Sequence, residues 1–518
     1  MIHKIHQLVI VCSVLLLSAN GIAQSKKANK SSAKTLIVFF DGLRPDYITP
    51  KAMPNLYAFS KRGVYGKQHH SVFPTVTRVN SSSYATGSYP ATNGLMGNSV
   101  YFPQVDKAKA LNTGEASEME KVSAATGGHL LTTISLGEIL AKNGEKMMVF
   151  SSGSSGQALF QNHTVSGGAI VNTSMILPAA FKATIEKELG PAPKHAKPNT
   201  PQHKWITDAL MKYGLNIDGP MVSAIWFSDP DGTAHSDGIG VPSSMASIKS
   251  VDEQFGRIID DLAAKGLTNH FNIIISTDHG FITHKGKNNL TAFLIKEGLK
   301  TSKESEDVVL AGGAIYVQNH DEALIKKIVA KLQAQEWVGG IFTKAAKAGD
   351  LKGWVDGTVS FDAIHWNHAE RSSDILVDYN WNDDKNEMGY PGTSFSGGVA
   401  GHGGFSPYEV HIALLAAGPG FKRNFESDLP TSNVDIVPTI LYLHHLPIPS
   451  AMDGRVMNEL LAEKSSKPIL KAEKEIITTF APFTGGTYQL KVQRTVLGVH
   501  QYVDYSKATR LSDTRSSK

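Results

Sequence analysis

The sequence predicts an α/β fold: a mostly parallel central sheet with helices on both faces and an inserted cap subdomain. The first observation is a series of short, uninterrupted apolar runs, each ending in a polar or glycine-containing turn. Strands that are buried on both faces have this pattern, whereas half-exposed strands alternate in polarity. The second observation is that helix-like segments separate these runs, as expected for connected parallel strands. The third is a break in this rhythm after Gly280.

The apolar runs and the segments between them give the elements of the central sheet in chain order. The predicted strands are TLIVFF (35–40), KMMVFSS (146–152), MVSAIWF (221–227), FNIIIST (271–277) and VHIALLAAG (410–418). The helix-like segments are 52–62, 134–143, 202–213 and 243–265. Helices between successive strands lie on the faces of the sheet, so both faces are expected to be covered.

The chain from about 281 to 398 is predicted to be an inserted subdomain that sits on the sheet, because the strand pattern resumes at 410–418. It contains a strand-like DVVLAGGAIYVQ and a helix-like DEALIKKIVAKLQ. The catalytic domain is therefore expected to span 35–460. Residues 461–518 form a C-terminal extension with strand-like pieces, EIITTFAPF and TYQLKVQR, and no function that the pattern reveals.

The first 23 residues have the features of a secretory signal peptide. A weakly basic start precedes an apolar stretch from Leu8 to Leu17, and the small residues Gly21 and Ala23 stand where a signal peptidase cleaves. We expect cleavage after Ala23, a flexible leader over 24–34, and a periplasmic or secreted mature protein. The apolar stretch is too short for a stable membrane anchor.

Composition limits the chemistry and the partners. Cys12, the only cysteine, lies within the signal peptide, so a metal site in the mature chain must use His, Asp, Glu or hydroxyl ligands. The 518 residues carry a net charge of +4 without a block of lysine or arginine. This pattern does not indicate a nucleic-acid groove, so no polymeric nucleic acid is expected, and the charge balance says little else about partners.

Six acidic and histidine side chains stand at or near the ends of the predicted strands. Ligands of open parallel sheets bind at the edge where the strands' carboxyl ends meet. One aspartate after a strand is often only a helix cap, and one loop histidine is usually solvated. Six oxygen and imidazole donors at one edge instead indicate a site for two divalent metals; zinc suits them, with manganese and iron as alternatives. They are Asp41, Asp231, His235, Asp278, His279 and His402.

The segment FPTVTRVNSSSYATGSYPATNGLMGN (73–98) is rich in hydroxyl groups and gives such metals a role. A threonine hydroxyl is a poor nucleophile at neutral pH. A bound divalent ion lowers its pKa and generates an alkoxide, so no adjacent base is required.

Seven short motifs occur in order between residues 35 and 420. They are Asp41-Gly42, Pro74 to Thr77, Thr86-Gly87, Asn98, Pro230 to His235, Asp278 to Gly280, and Gly401 to Gly403. This series resembles the alkaline phosphatase superfamily, in particular its nucleotide pyrophosphatase/phosphodiesterase branch. That branch has a DG after the first strand, PTxT, a TG turn, an asparagine, PDxxxH, DHG and GHG. The stretches VDIVPTIL (434–441) and MDGRV (452–456) resemble the superfamily's closing segment.

The resemblance implies two divalent ions, with zinc expected, and a role for each donor. One ion would be bound by Asp231, His235 and His402, the other by Asp41, Asp278 and His279 together with the Thr77 oxygen. Such ions lie about 3.5–4 Å apart and clamp the attacking and leaving oxygens. Thr77 would attack phosphorus to give a phosphothreonyl enzyme, which water hydrolyses. Asn98 and a backbone N–H near Thr77 would donate to a non-bridging oxygen.

Two residues near the implied nucleophile concern the substrate. Arg78 stands where nucleotide-cleaving relatives usually carry an aromatic residue; it either binds a phosphate or carboxylate of the substrate, or is a solvated loop residue. Trp226 falls where relatives carry an aromatic side chain beside the pocket. It either stacks on a base or packs in the core, since it lies on a predicted central strand.

The expected function is a secreted phosphodiesterase or nucleotide pyrophosphatase acting on a small phosphodiester or pyrophosphate. The alternatives are a phosphomonoesterase or a phosphonate hydrolase of the same superfamily. Thr-dependent monoesterases use a Lys-x-Arg pair, and phosphonoacetate hydrolases use lysines, in a stretch that here reads SSGSSGQALF (151–160) without a basic residue. Sulfatases require a CxPSR-type motif that is absent from the sequence. A catalytically silent metal-binding scaffold would have lost the nucleophile or ligands, which this chain retains.

Overall fold

The computed structural model describes residues 33–463 and 471–512. The signal peptide expected over 1–23 lies outside the described residues, as does all of the expected leader except its last two residues. The first strand begins at Lys34, so the fold starts where the apolar pattern of the sequence starts.

The strands in chain order are β1 (Lys34–Phe40), β2 (Val64–His70), β3 (Ser99–Val100), β4 (Leu111–Asn112), β5 (Met147–Ser151), β6 (Ala169–Asn172), β7 (Ile176–Leu177), β8 (Val222–Phe227), β9 (Phe271–Ser276), β10 (Ile282–Gly286), β11 (Val308–Ala311), β12 (Ala314–Val317), β13 (Val338–Thr343), β14 (Val359–Ser360), β15 (Ile375–Tyr379), β16 (Trp381–Lys385), β17 (Pro391–Gly397), β18 (Ala400–Gly401), β19 (His411–Ala417), β20 (Phe425–Ser432), β21 (Ala472–Phe483), β22 (Gly486–Leu497) and β23 (His500–Ser512).

The α-helices in chain order are α1 (Pro54–Arg62), α2 (Thr77–Thr86), α3 (Pro90–Asn93), α4 (Ala116–Ala125), α5 (Leu136–Lys142), α6 (Ser155–Gln161), α7 (Ala180–Leu189), α8 (Thr200–Ala209), α9 (Asp231–Asp237), α10 (Pro242–Ala264), α11 (Leu290–Lys296), α12 (Glu322–Gln333), α13 (Pro407–Val410) and α14 (Ile436–Leu443). A π-helical turn continues α8 over Leu210–Gly214.

The central sheet has nine strands in the order β20-β2-β19-β9-β1-β8-β5-β6-β7. Neighbouring strands pair in parallel except where β19 or β7 is involved, so the sheet is mostly parallel. The predicted α/β class is confirmed. The sequence did not reveal the polar strand β2, and it carried no sign that β19 runs antiparallel to its neighbours.

Both faces of the sheet are buried, which explains why its strands are apolar throughout. Along β1, Ile37 and Phe39 belong to the core on one face, whereas Leu36 and Val38 belong to the core on the other. Helices α1, α8 and α10 cover the second face, and α2, α5, α6 and α14 contribute to the first. Successive side chains of a strand point to opposite faces, so an unbroken apolar run fits a sheet sandwiched between helix layers.

The strands between β9 and β19 form two smaller sheets and do not pair with the central sheet. Their orders are β16-β17-β10-β18 and β11-β12-β15-β13-β14. Strands β21, β22 and β23 at the end of the chain form a third sheet of long antiparallel strands. The strand-like pieces read in the C-terminal extension thus lie in β21 and β22.

A buried polar cluster ties the C-terminal sheet to the central sheet. Asp504 on β23 is 1% exposed; its Oδ1 lies 3.1 Å from His70 Nε2 on β2, and both its oxygens accept from Lys474 Nζ at 3.1 Å. Thr495 Oγ1 donates to the same carboxylate at 2.9 Å. Although His70, His411 and Asp504 lie close enough together for a metal, these donors already satisfy the carboxylate. The cluster is therefore best explained as a structural ion pair.

Replacing Asp504 with asparagine should lower the free energy of unfolding by about 1–3 kcal/mol near pH 7, because buried His70 and Thr495 and the half-exposed Lys474 lose a charged hydrogen-bond acceptor. Burial raises the pKa of Asp504, but His70 and Lys474 outweigh it and lower that pKa overall. A depressed folded-state pKa stabilises the protein above the unfolded value, about 3.9, and this stabilisation is lost as the pH falls. Denaturant unfolding of the wild type and of Asp504→Asn should therefore show that the difference in their free energies of unfolding shrinks below about pH 4. The exposed Asp384→Asn is the control, and equal stabilities of wild type and Asp504→Asn at pH 7 would contradict the assignment.

Candidate active site

The structure brings the six strand-end donors together at one edge of the central sheet. Asp41 follows β1, the pair Asp278 and His279 follows β9, and Asp231 and His235 lie on α9, which follows β8. His402 precedes β19 in the chain. Because β19 is antiparallel to β9, its beginning lies at the edge where the other strands end. That direction of β19 is what adds the sixth donor.

The first group of donors surrounds His279, whose side chain is completely buried. Its Nε2 lies 3.0 Å from Asp278 Oδ2 and 3.5 Å from Asp41 Oδ1. The Thr77 hydroxyl Oγ1 lies 3.3 Å from the same nitrogen. The sequence-derived nucleophile is thus within contact distance of one expected metal site.

The second group surrounds Asp231. Its Oδ1 lies 3.1 Å from His235 Nε2 and 3.2 Å from His402 Nε2, and these two nitrogens are 3.1 Å apart. The rings of His279 and His402 stack with centroids 3.4 Å apart. The two groups therefore adjoin and form one continuous site.

The outer nitrogen of each histidine faces a backbone carbonyl, which fixes the ring. His235 Nδ1 donates to the Ala400 carbonyl at 3.1 Å, and His279 Nδ1 donates to the Gly280 carbonyl at 3.0 Å. His402 Nδ1 donates to the Thr75 carbonyl at 2.8 Å. In a neutral ring Nε2 then carries a lone pair and no hydrogen. Two such nitrogens, as in His235 and His402, cannot form a hydrogen bond with each other. Carbonyl contacts of this kind orient metal-binding histidines.

Three buried carboxylate oxygens facing these nitrogens have no hydrogen-bond partner. They are Asp41 Oδ1, Asp231 Oδ1 and Asp278 Oδ2. A buried unpaired carboxylate oxygen is costly, and a ring of lone pairs around it does not compensate. Divalent cations between these oxygens and nitrogens would satisfy both, so the donor set fits metal binding by oxygen and imidazole ligands.

The crowding of charges also shifts the pKa values. Burial, followed by the carboxylates of Asp278 and Asp231, raises the pKa of Asp41 well above its ordinary value. Burial opposes ionisation of Asp231, but His235 and His402 outweigh it and hold its pKa well below the ordinary value. Burial, followed by His279, lowers the pKa of His402 to about 4. Like groups crowded together, as Asp41 is with the other two carboxylates and His402 is with His279, are typical of a site that binds cations.

Thr77 is the first residue of α2 and is 6% exposed. The backbone N–H of Arg78 donates to Asn98 Oδ1 at 3.1 Å. This contact occupies the oxygen of the Asn98 side chain and leaves its amide nitrogen able to donate to a ligand. Helix N-termini favour anions because their first N–H groups lack intrahelical acceptors. The residues implied to bind a phosphoryl group therefore stand where the backbone also attracts one.

Trp226 does not line the site but lies behind it. The side chain has no exposed surface, and its ring stacks on Phe39 at 4.5 Å. Its Nε1 donates to Asp41 Oδ2 at 2.9 Å. A residue without exposed surface cannot stack on a base, so of the two interpretations of Trp226 the core position is correct. Its polar atom orients Asp41 toward the other donors.

Replacing Trp226 with phenylalanine should keep the packing but remove the donor that orients Asp41. We expect metal affinity or kcat to fall about 10- to 100-fold, the usual effect of losing a group that orients a metal ligand. Metal titration and steady-state kinetics test this. Trp381→Phe is the matched control, since Trp381 Nε1 donates to the Ser506 carbonyl instead. Equal losses in both variants would contradict a specific role for Trp226.

Arg78 lines a cavity that opens beside Thr77 and holds about 350 Å³. Its Nε is buried without a hydrogen-bond partner among the described residues. The serine-containing loop 152–154 forms another part of the wall. In the sequence this loop stood out only because it contains no basic residue. Its contribution was not readable from the sequence because β5 and α2 are distant in the chain.

Two buried acids that the sequence did not suggest hold the loop of His402. Glu409 Oε1 accepts from the Gly404 N–H at 2.8 Å, and Asp378 Oδ2 accepts from the Phe405 N–H at 3.0 Å. Asp378 comes from β15 in the chain segment expected to be inserted. The short distance in sequence between His402 and Glu409 is a signal that could have placed Glu409 near the site, whereas no local pattern points to Asp378.

The sequence profile of the type I phosphodiesterase / nucleotide pyrophosphatase family matches residues 35–383. A bis(5'-adenosyl)-triphosphatase of Xenopus laevis is 24% identical over 418 residues, 79% of this chain and 77% of the relative. The mouse protein of the same description is 22% identical over 434 residues, 82% and 80% of the two chains.

Solved structures have the same fold. Murine ectonucleotide pyrophosphatase / phosphodiesterase 5, an inactive variant in complex with AMP, aligns with a TM-score of 0.59 at 18% identity, covering 83% of this chain and 100% of that one. A mutant of alkaline phosphatase PafA aligns with a TM-score of 0.60 at 15% identity, covering 83% and 99%. Among the helices within 33–463 and 471–512, none has the length and apolar character needed to cross a bilayer.

Proposed function

The chain belongs to the type I phosphodiesterase / nucleotide pyrophosphatase family of phosphate ester hydrolases, and from this premise we propose a secreted, metal-dependent phosphodiesterase that uses Thr77 as nucleophile. The observation that carries the proposal is the convergence of unpaired carboxylate oxygens and histidine lone pairs around the Thr77 hydroxyl, 3.3 Å from His279 Nε2. Related proteins are named for the hydrolysis of bis-adenosyl triphosphate, so nucleotide pyrophosphates are the first substrates to test.

The residues divide the proposed reaction between them. Two divalent ions, for which zinc matches the donors best, would supply positive charge. This charge would lower the pKa of the Thr77 hydroxyl and offset the negative charge of the phosphate. Thr77 Oγ, having released its proton to solvent, attacks phosphorus, and one ester oxygen departs with its electron pair. Water then hydrolyses the phosphothreonyl bond, which releases the phosphate with its remaining ester group. The Asn98 amide nitrogen donates to a non-bridging oxygen. The residues proposed to hold the ions are Asp231, His235 and His402 for one, and Asp41, Asp278 and His279 for the other.

The wall beside the nucleophile favours a diester over a monoester. A monoester dianion requires additional cations around the transferred phosphoryl group, which relatives supply from the loop after the strand corresponding to β5. Here that loop presents Ser152, Gly153 and Ser154 to the cavity. A diester or pyrophosphate monoanion needs less compensating charge, so we propose it as the substrate class.

Two substrates with the same chromophore test the proposal. The purified protein should hydrolyse bis(4-nitrophenyl) phosphate with a kcat/KM about tenfold or more above that for 4-nitrophenyl phosphate, since one missing charged hydrogen bond corresponds to about that factor. A chelator should remove both activities, and zinc should restore them. A large preference for the monoester would overturn the diesterase assignment, and activity that resists exhaustive chelation would overturn the metal.

A secreted or periplasmic location is part of the proposal. It rests on the apolar N-terminal stretch with its small-residue cleavage site, and on the absence of cysteine after Cys12, which makes the fold independent of redox conditions. Two of the relatives are named as ectonucleotide enzymes. Amino-terminal sequencing of protein recovered outside the cytoplasm should begin at Gln24, and recovery of uncleaved protein would contradict it.

A further inference from the structure

We propose that the cavity lined by Arg78 and the loop 152–154, here called the Arg78 cavity, binds a second anionic group of the substrate and not a nucleobase. The anionic group is a phosphate or carboxylate close to the scissile phosphate. The inference rests on the proposed function, because it assigns the part of the substrate next to the phosphoryl group that Thr77 attacks. The Arg78 cavity adjoins the reaction centre directly, since Asp41, Thr77 and Asp231 also line it.

The guanidinium of Arg78 is available for an anion. Its buried Nε lacks a hydrogen-bond partner among the described residues, and it forms no ion pair with them at 4.0 Å or less. Burial lowers the pKa of Arg78, and the carboxylates of Asp41 and Asp231, which lie too far away for an ion pair, partly oppose that shift. Arginine presents a planar pair of N–H donors that matches a phosphate or carboxylate, and such charged hydrogen bonds are among the strongest in proteins.

The position of the guanidinium depends on Gly114. A Cβ at this glycine would lie 2.3 Å from Arg78 Nη2, so only glycine leaves room for the side chain here. The loop that carries Gly114 is fixed at both sides. Its N–H donates to Asn112 Oδ1 at 2.9 Å, and its carbonyl accepts from the Gly156 N–H at 2.9 Å. The guanidinium therefore lies against a fixed backbone, in space that a side chain at residue 114 would occupy.

The rest of the cavity wall is polar and lacks a surface on which a base can stack. Hydroxyl and amide side chains predominate, and apart from the imidazole of His195 no aromatic side chain lines the cavity among the described residues. Trp226, which stands where relatives carry an aromatic residue beside the pocket, is completely buried behind Asp41. Hydroxyl groups donate to anionic oxygens, whereas recognition of a base relies on stacking. Besides Thr77, the hydroxyl and amide side chains of the wall are Ser152, Ser154, Thr173, Gln202 and Ser228.

Binding measurements on two matched pairs of ligands test the inference. Calorimetry would use zinc-loaded protein carrying Thr77→Ala to prevent turnover, with zinc kept in excess so that chelation is not mistaken for binding. One pair is 2-phosphoglycerate and glycerol 2-phosphate, which differ by a carboxylate. The other is pyrophosphate and inorganic phosphate, which differ by a phosphate. AMP is the ligand that carries a base.

The member of a pair with the extra anion should bind about 10- to 100-fold more tightly, the range expected for a charged hydrogen bond. Discrimination in only one pair identifies the group as carboxylate or phosphate, and either result supports the inference. Arg78→Ala should remove the discrimination and Arg78→Lys should restore part of it. Equal binding within both pairs, or AMP binding more tightly than either anionic ligand, would overturn the inference.

Gly114→Ala provides a second variant in which the arginine is retained. The added methyl group must displace the guanidinium, so the discrimination within a pair should fall at least severalfold while zinc content stays at the parent level. Unchanged discrimination in this variant would contradict the position assigned to Arg78. Failure of the proposed function has a different signature, because wild-type protein would then hydrolyse no chromogenic diester, whatever the ligands bind.

Discussion

Thr77→Ala is expected to reduce phosphodiester hydrolysis at least about 10⁴-fold while the fold is retained, since removing a nucleophile removes the covalent route altogether. Thr77 Oγ1 lies 3.3 Å from His279 Nε2, and the methyl of alanine fits the same buried position at the start of α2. Initial rates with bis(4-nitrophenyl) phosphate, together with circular dichroism and metal content, give the comparison.

Thr77→Ser is the control because it keeps a hydroxyl at the same place and should retain measurable activity. Acid quenching of wild-type protein during turnover of bis(4-nitrophenyl) phosphate should trap a 4-nitrophenyl phosphoryl group on Thr77, detectable by peptide mass spectrometry and absent from the alanine variant. Full activity of Thr77→Ala would exclude it as the nucleophile. A trapped phosphoryl group on another residue would assign the role elsewhere.

His402→Ala should lose metal and activity together. Its Nε2 lies 3.2 Å from Asp231 Oδ1 and 3.1 Å from His235 Nε2, so its removal leaves the second donor group with two of its three side chains. Elemental analysis should show roughly two ions per chain in the wild type, as two-metal hydrolases hold, and at most one in the variant. Activity should fall below detection at zinc concentrations that saturate the wild type.

The exposed His129→Ala is the matched control, since His129 belongs to none of the donor groups and metal content should not change. Retention of two ions by His402→Ala would contradict the proposed ligand set. Loss of activity with both ions retained would instead give His402 a role in positioning the Thr75 backbone, whose carbonyl accepts from its Nδ1 at 2.8 Å.

Much of the fold was readable because its signals are local. An unbroken apolar run such as 35–40 reports that both faces of a strand are buried, and the strand forms over Lys34–Phe40. Asp41 and Asp278 follow their strands directly, so the sheet itself determines the edge at which they lie. Strand β2 lacked such a signal because its residues, VYGKQHH, are mostly polar or glycine. Its buried histidines find their partners on β20, β9 and β23.

The sequence alone was enough for the α/β class and the family resemblance, and it predicted the six donors and Thr77, because residue type and strand position are properties of short segments. The tertiary structure alone decided that β19 runs antiparallel and so brings His402 to the other donors. It also decided that Trp226 orients Asp41 from behind, and that Arg78 faces a polar cavity against Gly114. These outcomes depend on contacts between segments far apart in the chain, and the packing of the complete fold determines such contacts.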